Sequence, residues 1–153
     1  IASSETQQKE FWALRENLSH AQKSEGGSIK HDISVPVAKL PAFIERAAAA
    51  VEAMIPGARL VTFGHMGDGN LHYNVSQPVG AEKAAFLARW DEVNSVVHAI
   101  VDEFSGSISA EHGIGQLKRA ELAHYKQPLA LDLMRRIKGV FDPNGIMNPG
   151  KLI

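Results

Sequence analysis

The sequence contains no cysteine, which excludes a disulfide scaffold, a thiolate metal centre and a cysteine nucleophile. It has no apolar run near the roughly 20 residues that a membrane-spanning helix needs. It has no excess of charge of one sign: 16 Lys and Arg face 17 Asp and Glu, for a net charge of -1. That balance removes a global electrostatic grip on nucleic acid or on an acidic lipid surface. There is no internal repeat and no low-complexity tract; the run Ala47–Ala50 is ordinary helix propensity. The first residue is Ile1, without a basic-then-apolar leader behind it, so a processed chain or a piece of a longer one is expected, in the cytoplasm. What is present is 153 residues of which 44% are hydrophobic. That suits one domain over residues 1–153, able to bury roughly 70% of its unfolded surface without a staple.

Hydrophobic spacing gives the elements. Phe11, Leu14, Leu18 and Ala21 recur at three and four residues, which predicts a helix over 5–24 with one core-facing stripe. Ile29, His31, Ile33 and Val35 alternate with polar residues and predict a strand. A second helix carries Phe43, Ile44, Ala47, Val51, Met54 and Ile55. Strands follow over 59–65 and 70–76, joined by a glycine-rich turn. A single long helix is expected over 81–104, then a short fourth strand over 107–109 and helices over 117–125 and 128–140. The last residues, 141–153, carry prolines and glycines and should be ordered by packing alone. After the first helix the order is β-α-β-β-α-β. The expected fold class is therefore α+β, a ferredoxin-like split antiparallel sheet with helices on one face and extra terminal helices.

Seven histidines are present. His20, His98 and His124 fall in helical stretches and read as surface or boundary residues, and His31 as a hydrogen-bonded core residue. His65 and His72 flank the turn Gly64–Gly69, which brings one back toward the other. Two imidazoles at adjacent strand ends begin a metal site. Glu111, next to His112 in the glycine-flanked run 109–115, offers an anionic third ligand, and two histidines with one carboxylate leave positions open for a substrate. The same residues also make an ordinary hairpin turn, since Asp68-Gly69 is a common turn pair. Arg15 and Ser19 share a helix face, and Lys30 lies on the polar face of the next strand. Together they suit a carboxylate, or a solvated surface. The glycine spacings match neither a dinucleotide fingerprint nor a phosphate loop.

Three strings in one order, FGHMGDGNLHYNV, SAEHGIG and FDPNGIMNPGK, resemble the C-terminal domain of FAD-linked oxidases of the vanillyl-alcohol oxidase superfamily. FWALRENL and IKHDISVP are most similar to its D-2-hydroxyglutarate dehydrogenase branch; D-lactate dehydrogenases and the flavin subunit of glycolate oxidase belong to the same group. The resemblance covers nearly the whole chain. It implies a substrate domain whose FAD-binding partner domain lies elsewhere, in an enzyme oxidising a D-2-hydroxy acid to a 2-oxo acid, with FAD and a divalent metal, zinc or manganese. It implies His65, His72 and Glu111 as metal ligands and His112 as catalytic base. Asn74 would lie beside metal and substrate, and Arg15, Ser19 and Lys30 would hold the distal carboxylate. Asn148 would pack near the flavin. Members of that branch carry Thr where this chain has Ser19; the hydroxyl is kept and a methyl is lost. The electron acceptor and any homodimer are left open by the resemblance. Two other classes fit the residues alone: a ferredoxin-like binding module with a structural metal, and a metal hydrolase using Glu111 and His112.

Overall fold

A computed structural model describes residues 1–153. Along the chain run α1 (Glu5–Ala21), β1 (Ser28–Ser34), α2 (Leu40–Met54), β2 (Arg59–Phe63), β3 (Asn70–Ser76), α3 (Lys83–Leu87), α4 (Trp90–Glu103), α5 (Arg119–Tyr125) and α6 (Pro128–Phe141), with 3-10 turns at Gln22–Glu25, Val37–Lys39 and Met66–Asp68. The fold is α+β, built on a three-stranded antiparallel sheet in the order β1-β3-β2. The register sets Asp32 and Phe63 on either side of His72, and Lys30 beside Asn74.

Strand alternation divides the two sheet faces. Ile29, Ile33, Leu71, Tyr73 and Val75 point inward and pack on Phe43, Ala47 and Val51 of α2 and on Val93, Val97, Ile100 and Val101 of α4. Burying each of the Val, Leu, Ile and Phe side chains among them contributes about 1.5–3 kcal/mol. Phe43 ties the layers by meeting Tyr73 and Phe104 edge-on, each at 5.8 Å between ring centroids. The opposite face carries Asp32, His72 and Asn74, and no helix of this core covers it.

Four expectations are corrected. The single helix over 81–104 is broken into α3 and α4. Arg89 leaves helical geometry at the break (φ -87, ψ 12), where its guanidinium donates to the Met54 carbonyl at 3.0 Å and to Glu92 at 2.7 and 2.8 Å. That tether to the end of α2 holds the break. The fourth strand over 107–109 is reduced to one antiparallel bridge between Ser34 and Ser107. Beyond it the Ser107 hydroxyl donates to the Ser109 carbonyl at 2.9 Å, and the chain turns off the sheet edge. The stripe of α1 faces no core: Phe11, Trp12, Leu14 and Leu18 are exposed and no α1 residue is buried. α1 meets the sheet toward its C-terminal end, through Arg15 over the Phe63 ring and through Gln22, just past the helix, which accepts from the Asn74 amide. Finally, His98 is 1% exposed rather than on the surface, because α5 closes Glu121 over that flank of α4.

His31 and His98 form a buried pair, with rings edge-on at 5.5 Å. His31 Nδ1 meets the Tyr73 carbonyl at 2.8 Å, as expected of a core histidine, while Nδ1 of His98 lies 3.1 Å from Glu121 but out of line for a hydrogen bond. Burial lowers His31 to about 4, and burial with the nearby His31 and Lys118 charges lowers His98 to about 3. Both are neutral in the folded chain, so acidification below about 6.5 adds protons to the unfolded chain first. Stability is therefore expected to fall from about pH 6.5 toward 4, by roughly 1.4 kcal/mol per pH unit for each histidine. Urea unfolding at stepped pH checks this, with a flatter slope expected for His98→Leu.

Candidate metal and substrate site

The turn between β2 and β3 is forced by glycine. Gly69 sits at φ +74, and a Cβ there would overlap the Val35 carbonyl oxygen. The close approach is used: the Val35 N–H donates to the Gly69 carbonyl at 3.0 Å. His65 opens the turn, its carbonyl accepting from the Asp68 and Asn70 N–H groups at 2.9 and 3.3 Å. The turn carries His65 above the start of β3, near His72.

Glu111 arrives on the loop that leaves the edge of β1 at Ser107, and sits among them. Its Oε1 lies 3.0 Å from His65 Nδ1 and 3.8 Å from His72 Nε2, and accepts from the Asn70 amide. Hydrogen bonds from His65 and then Asn70 hold the Glu111 carboxyl below its ordinary pKa. His112, the next residue, stacks on His72 with centroids 5.8 Å apart and planes 29° apart.

Asp32 holds this arrangement and escaped the reading of the sequence. It is 3% exposed, and its Oδ2 accepts the N–H groups of Ala110, Glu111 and His112 at 3.2, 2.9 and 2.8 Å. Burial alone would raise its pKa, but those N–H groups and the neighbouring His112 hold it below the ordinary value. Its Oδ1 lies 3.8 Å from His72 Nδ1, and His112 Nδ1 lies 3.8 Å from Oδ2. Donor atoms of Asp32, His72 and His112 all fall within 4.8 Å of one another. Asn70 was also missed. The only sequence signal for either was its place on a strand; their partners depend on register and on a loop 41 to 80 residues away.

The residues assigned to substrate are placed unevenly. Arg15 lies 5.2 Å over the Phe63 ring, and that ring lies 5.2 Å from His72, so the guanidinium stands one aromatic ring from the histidine cluster. Lys30 projects from β1 into solvent, and Ser19 is exposed on α1. Asn74 is buried, its amide donating to Gln22 Oε1 at 3.0 Å; Gln22 too is absent from the sequence reading. Asn148 is exposed in the C-terminal segment at φ +51 and lines a groove with Met134, Ile137 and Leu152, outside the cluster.

Residues 1–152 match the family model described as FAD linked oxidases, C-terminal domain. The chain belongs to that family. It is 44% identical over 99% of its length to D-2-hydroxyglutarate dehydrogenase of Stutzerimonas stutzeri (strain A1501), covering 32% of that protein. It is 40% identical to the protein of the same name from Xanthomonas citri pv. viticola, again over 99% of the chain and 32% of the relative. With the mitochondrial D-2-hydroxyglutarate dehydrogenase of Danio rerio it shares 37% identity over its whole length, covering 27% of that protein. This FAD-linked oxidase C-terminal domain thus spans about a third of the length of the bacterial relatives. No helix in it is long and apolar enough to cross a membrane.

Proposed function

We propose that this chain is the substrate- and metal-binding domain of a FAD-dependent dehydrogenase that oxidises D-2-hydroxy acids, of the D-2-hydroxyglutarate or D-lactate type, to 2-oxo acids. The observation that carries the proposal is the meeting of His65, His72 and Asn70 on one oxygen of Glu111, with His112 stacked alongside, in a chain of this family. The ferredoxin-like reading of the fold draws support from the strand order, since Ser107 bridges the free edge of β1 where a fourth strand would lie.

The donor set fits a divalent ion once the exposed His65 side chain turns inward, since the donor atoms that already lie within 4.8 Å of one another are those of Asp32, His72 and His112. Ligands bound about 2.0–2.1 Å from a tetrahedral ion lie roughly 3.4 Å from one another, and the 3.0 and 3.8 Å separations at Glu111 Oε1 bracket that distance. The His65 side chain is 62% exposed and free to turn. Asp32 already holds three N–H groups on Oδ2, and its Oδ1 has no hydrogen-bond partner. Zinc or manganese bound by His65, His72 and Glu111 would supply Lewis acidity at the substrate hydroxyl. His112, stacked on His72, would take the hydroxyl proton as the base. Arg15, Lys30 and Ser19 hold the distal carboxylate of a diacid at the rim. Asn74, supported by Gln22, forms the floor. The glycine segment joins two strands instead of opening a helix, so it is no dinucleotide fingerprint. FAD as hydride acceptor is assigned to the remaining length of the full protein, with Asn148 at its border.

Anaerobic bleaching of the flavin by D-2-hydroxyglutarate, with the full-length protein analysed for bound metal, tests the reading; no bleaching with any D-2-hydroxy acid would sink it. Arg15→Ala is expected to raise KM for the diacid roughly 10- to 100-fold, the worth of a lost charge-assisted contact, and to leave KM for D-lactate nearly unchanged. Steady-state kinetics with both substrates read the difference, and equal losses would remove Arg15 from that role.

A further inference from the structure

Asp32 does two things that no other side chain near the cluster does. It is almost fully buried on the sheet face beside His72, and its Oδ2 gathers three consecutive N–H groups of the segment that carries Glu111 and His112. Its second oxygen, Oδ1, is buried and has no hydrogen-bond partner. An unsatisfied charged oxygen in that position is costly, and the ring nitrogen facing it is His72 Nδ1, at 3.8 Å. The other ring nitrogen of His72 faces Glu111. Asp32, His72 and the Glu111 oxygen therefore lie in series, as carboxylate, imidazole and ligand lie in metal sites whose histidines are oriented from behind.

We propose that Asp32 is a positioning residue which sets this site in two directions: Oδ2 clamps the Ala110–His112 backbone onto β1, and Oδ1 takes the Nδ1–H of His72 so that Nε2 is presented as the ligand. The proposal rests on the metal reading above and deepens it. It gives the carboxylate at Asp32 a use for each of its oxygens. An amide would keep one oxygen for the loop but would turn an N–H toward His72. It also explains how Glu111 and His112, from a segment with no regular structure, hold their places opposite strand residues.

The test uses the full-length protein with its histidines labelled with nitrogen-15. In the metal-free wild type at about pH 8, above the ordinary imidazole range, His72 is expected as the Nδ1–H tautomer; the Nε2–H form would overturn the proposal, whatever any variant does. In Asp32→Asn, amide hydrogen exchange at Glu111 and His112 is expected to quicken at least tenfold. Zinc affinity, measured by competition with a chromophoric chelator, is expected to fall roughly 10- to 100-fold, the usual cost of losing such a partner, with one ion per site retained. Unchanged exchange with zinc affinity within twofold of wild type would overturn the positioning role. Complete loss of the ion with unchanged amide exchange would also overturn it, by making Asp32 a ligand itself. A wild type that binds no zinc would instead sink the metal reading, and the exchange and tautomer measurements would still judge the clamp on its own.

Discussion

Glu111→Gln in the full-length protein is expected to lower zinc affinity by at least about 100-fold, more than the loss of a supporting partner costs, and to lower kcat by roughly 1,000-fold, the equivalent of about 4 kcal/mol of lost Lewis-acid stabilisation. Glu111 is the anion at the centre of the cluster, with His65 and Asn70 both directed at the same oxygen. Glutamine keeps the shape and the reach but supplies a neutral, weaker ligand. Its amide N–H, if turned inward, would also oppose the imidazole donors. The fold should not notice, because the Glu111 side chain is 41% exposed and its backbone N–H is held separately by Asp32. The melting temperature is therefore expected to stay within a few degrees of wild type, as for an ordinary surface substitution. Chelator competition, turnover and thermal unfolding give the three numbers. A variant that keeps its metal and its rate would place the ion elsewhere, on Asp32, His72 and His112.

Gly69→Ala is expected to be the most damaging single-methyl change to the fold. A non-glycine residue at φ +74 carries about 1–2 kcal/mol of backbone strain, and the added Cβ would drive apart the Gly69 and Val35 backbones and break the Val35 N–H bond to the Gly69 carbonyl. Together these should cost about 3 kcal/mol, or roughly 6–12 °C in melting temperature for a chain of this size. Because Gly69 immediately precedes β3, the displacement also reaches Asn70 and His72, and metal affinity should fall with stability. Gly67→Ala, two residues earlier in the same turn, is the control: nothing lies within 4 Å of its Cβ position, so a change within about 0.5 kcal/mol is expected. Differential scanning fluorimetry on the two variants, side by side, is sufficient. Equal melting temperatures would show that the turn yields freely and that the Val35 contact is dispensable.

The parts of this fold that are legible in the sequence are those governed by local periodicity. Alternation places Ile29, His31 and Ile33 inward on β1 and Leu71, Tyr73 and Val75 inward on β3. A period of 3.6 identifies the face of α2 that buries Phe43, Ala47 and Val51. The histidine pair was legible because a glycine turn between antiparallel strands brings His65 back toward His72. What local pattern cannot carry is which neighbour an element finds. The α1 stripe has the spacing of a core helix, yet Phe11, Trp12 and Leu14 meet no core in this chain. The helix break at Arg89 depends on a carbonyl at the end of α2, thirty-five residues earlier. Asp32 reads on paper as an ordinary polar residue on an outward strand face. Its importance appears only when register sets it beside His72 and when a loop from far along the chain lays three amides on it.

That loop has one attachment on each side of a very short path. The Ser34–Ser107 bridge fixes where it leaves the sheet, and Asp32, two residues before Ser34 on the same strand, fixes where it lands. The spacer from Ser107 to Ala110 is thus measured against a stretch of β1 as if by a ruler. An inserted residue would carry the Glu111 and His112 side chains past their seats, while exchanges at the spacer's exposed positions, away from the buried Ile108, would leave them in place. It is the length of this segment, more than its spelling, that the architecture makes intolerant of change.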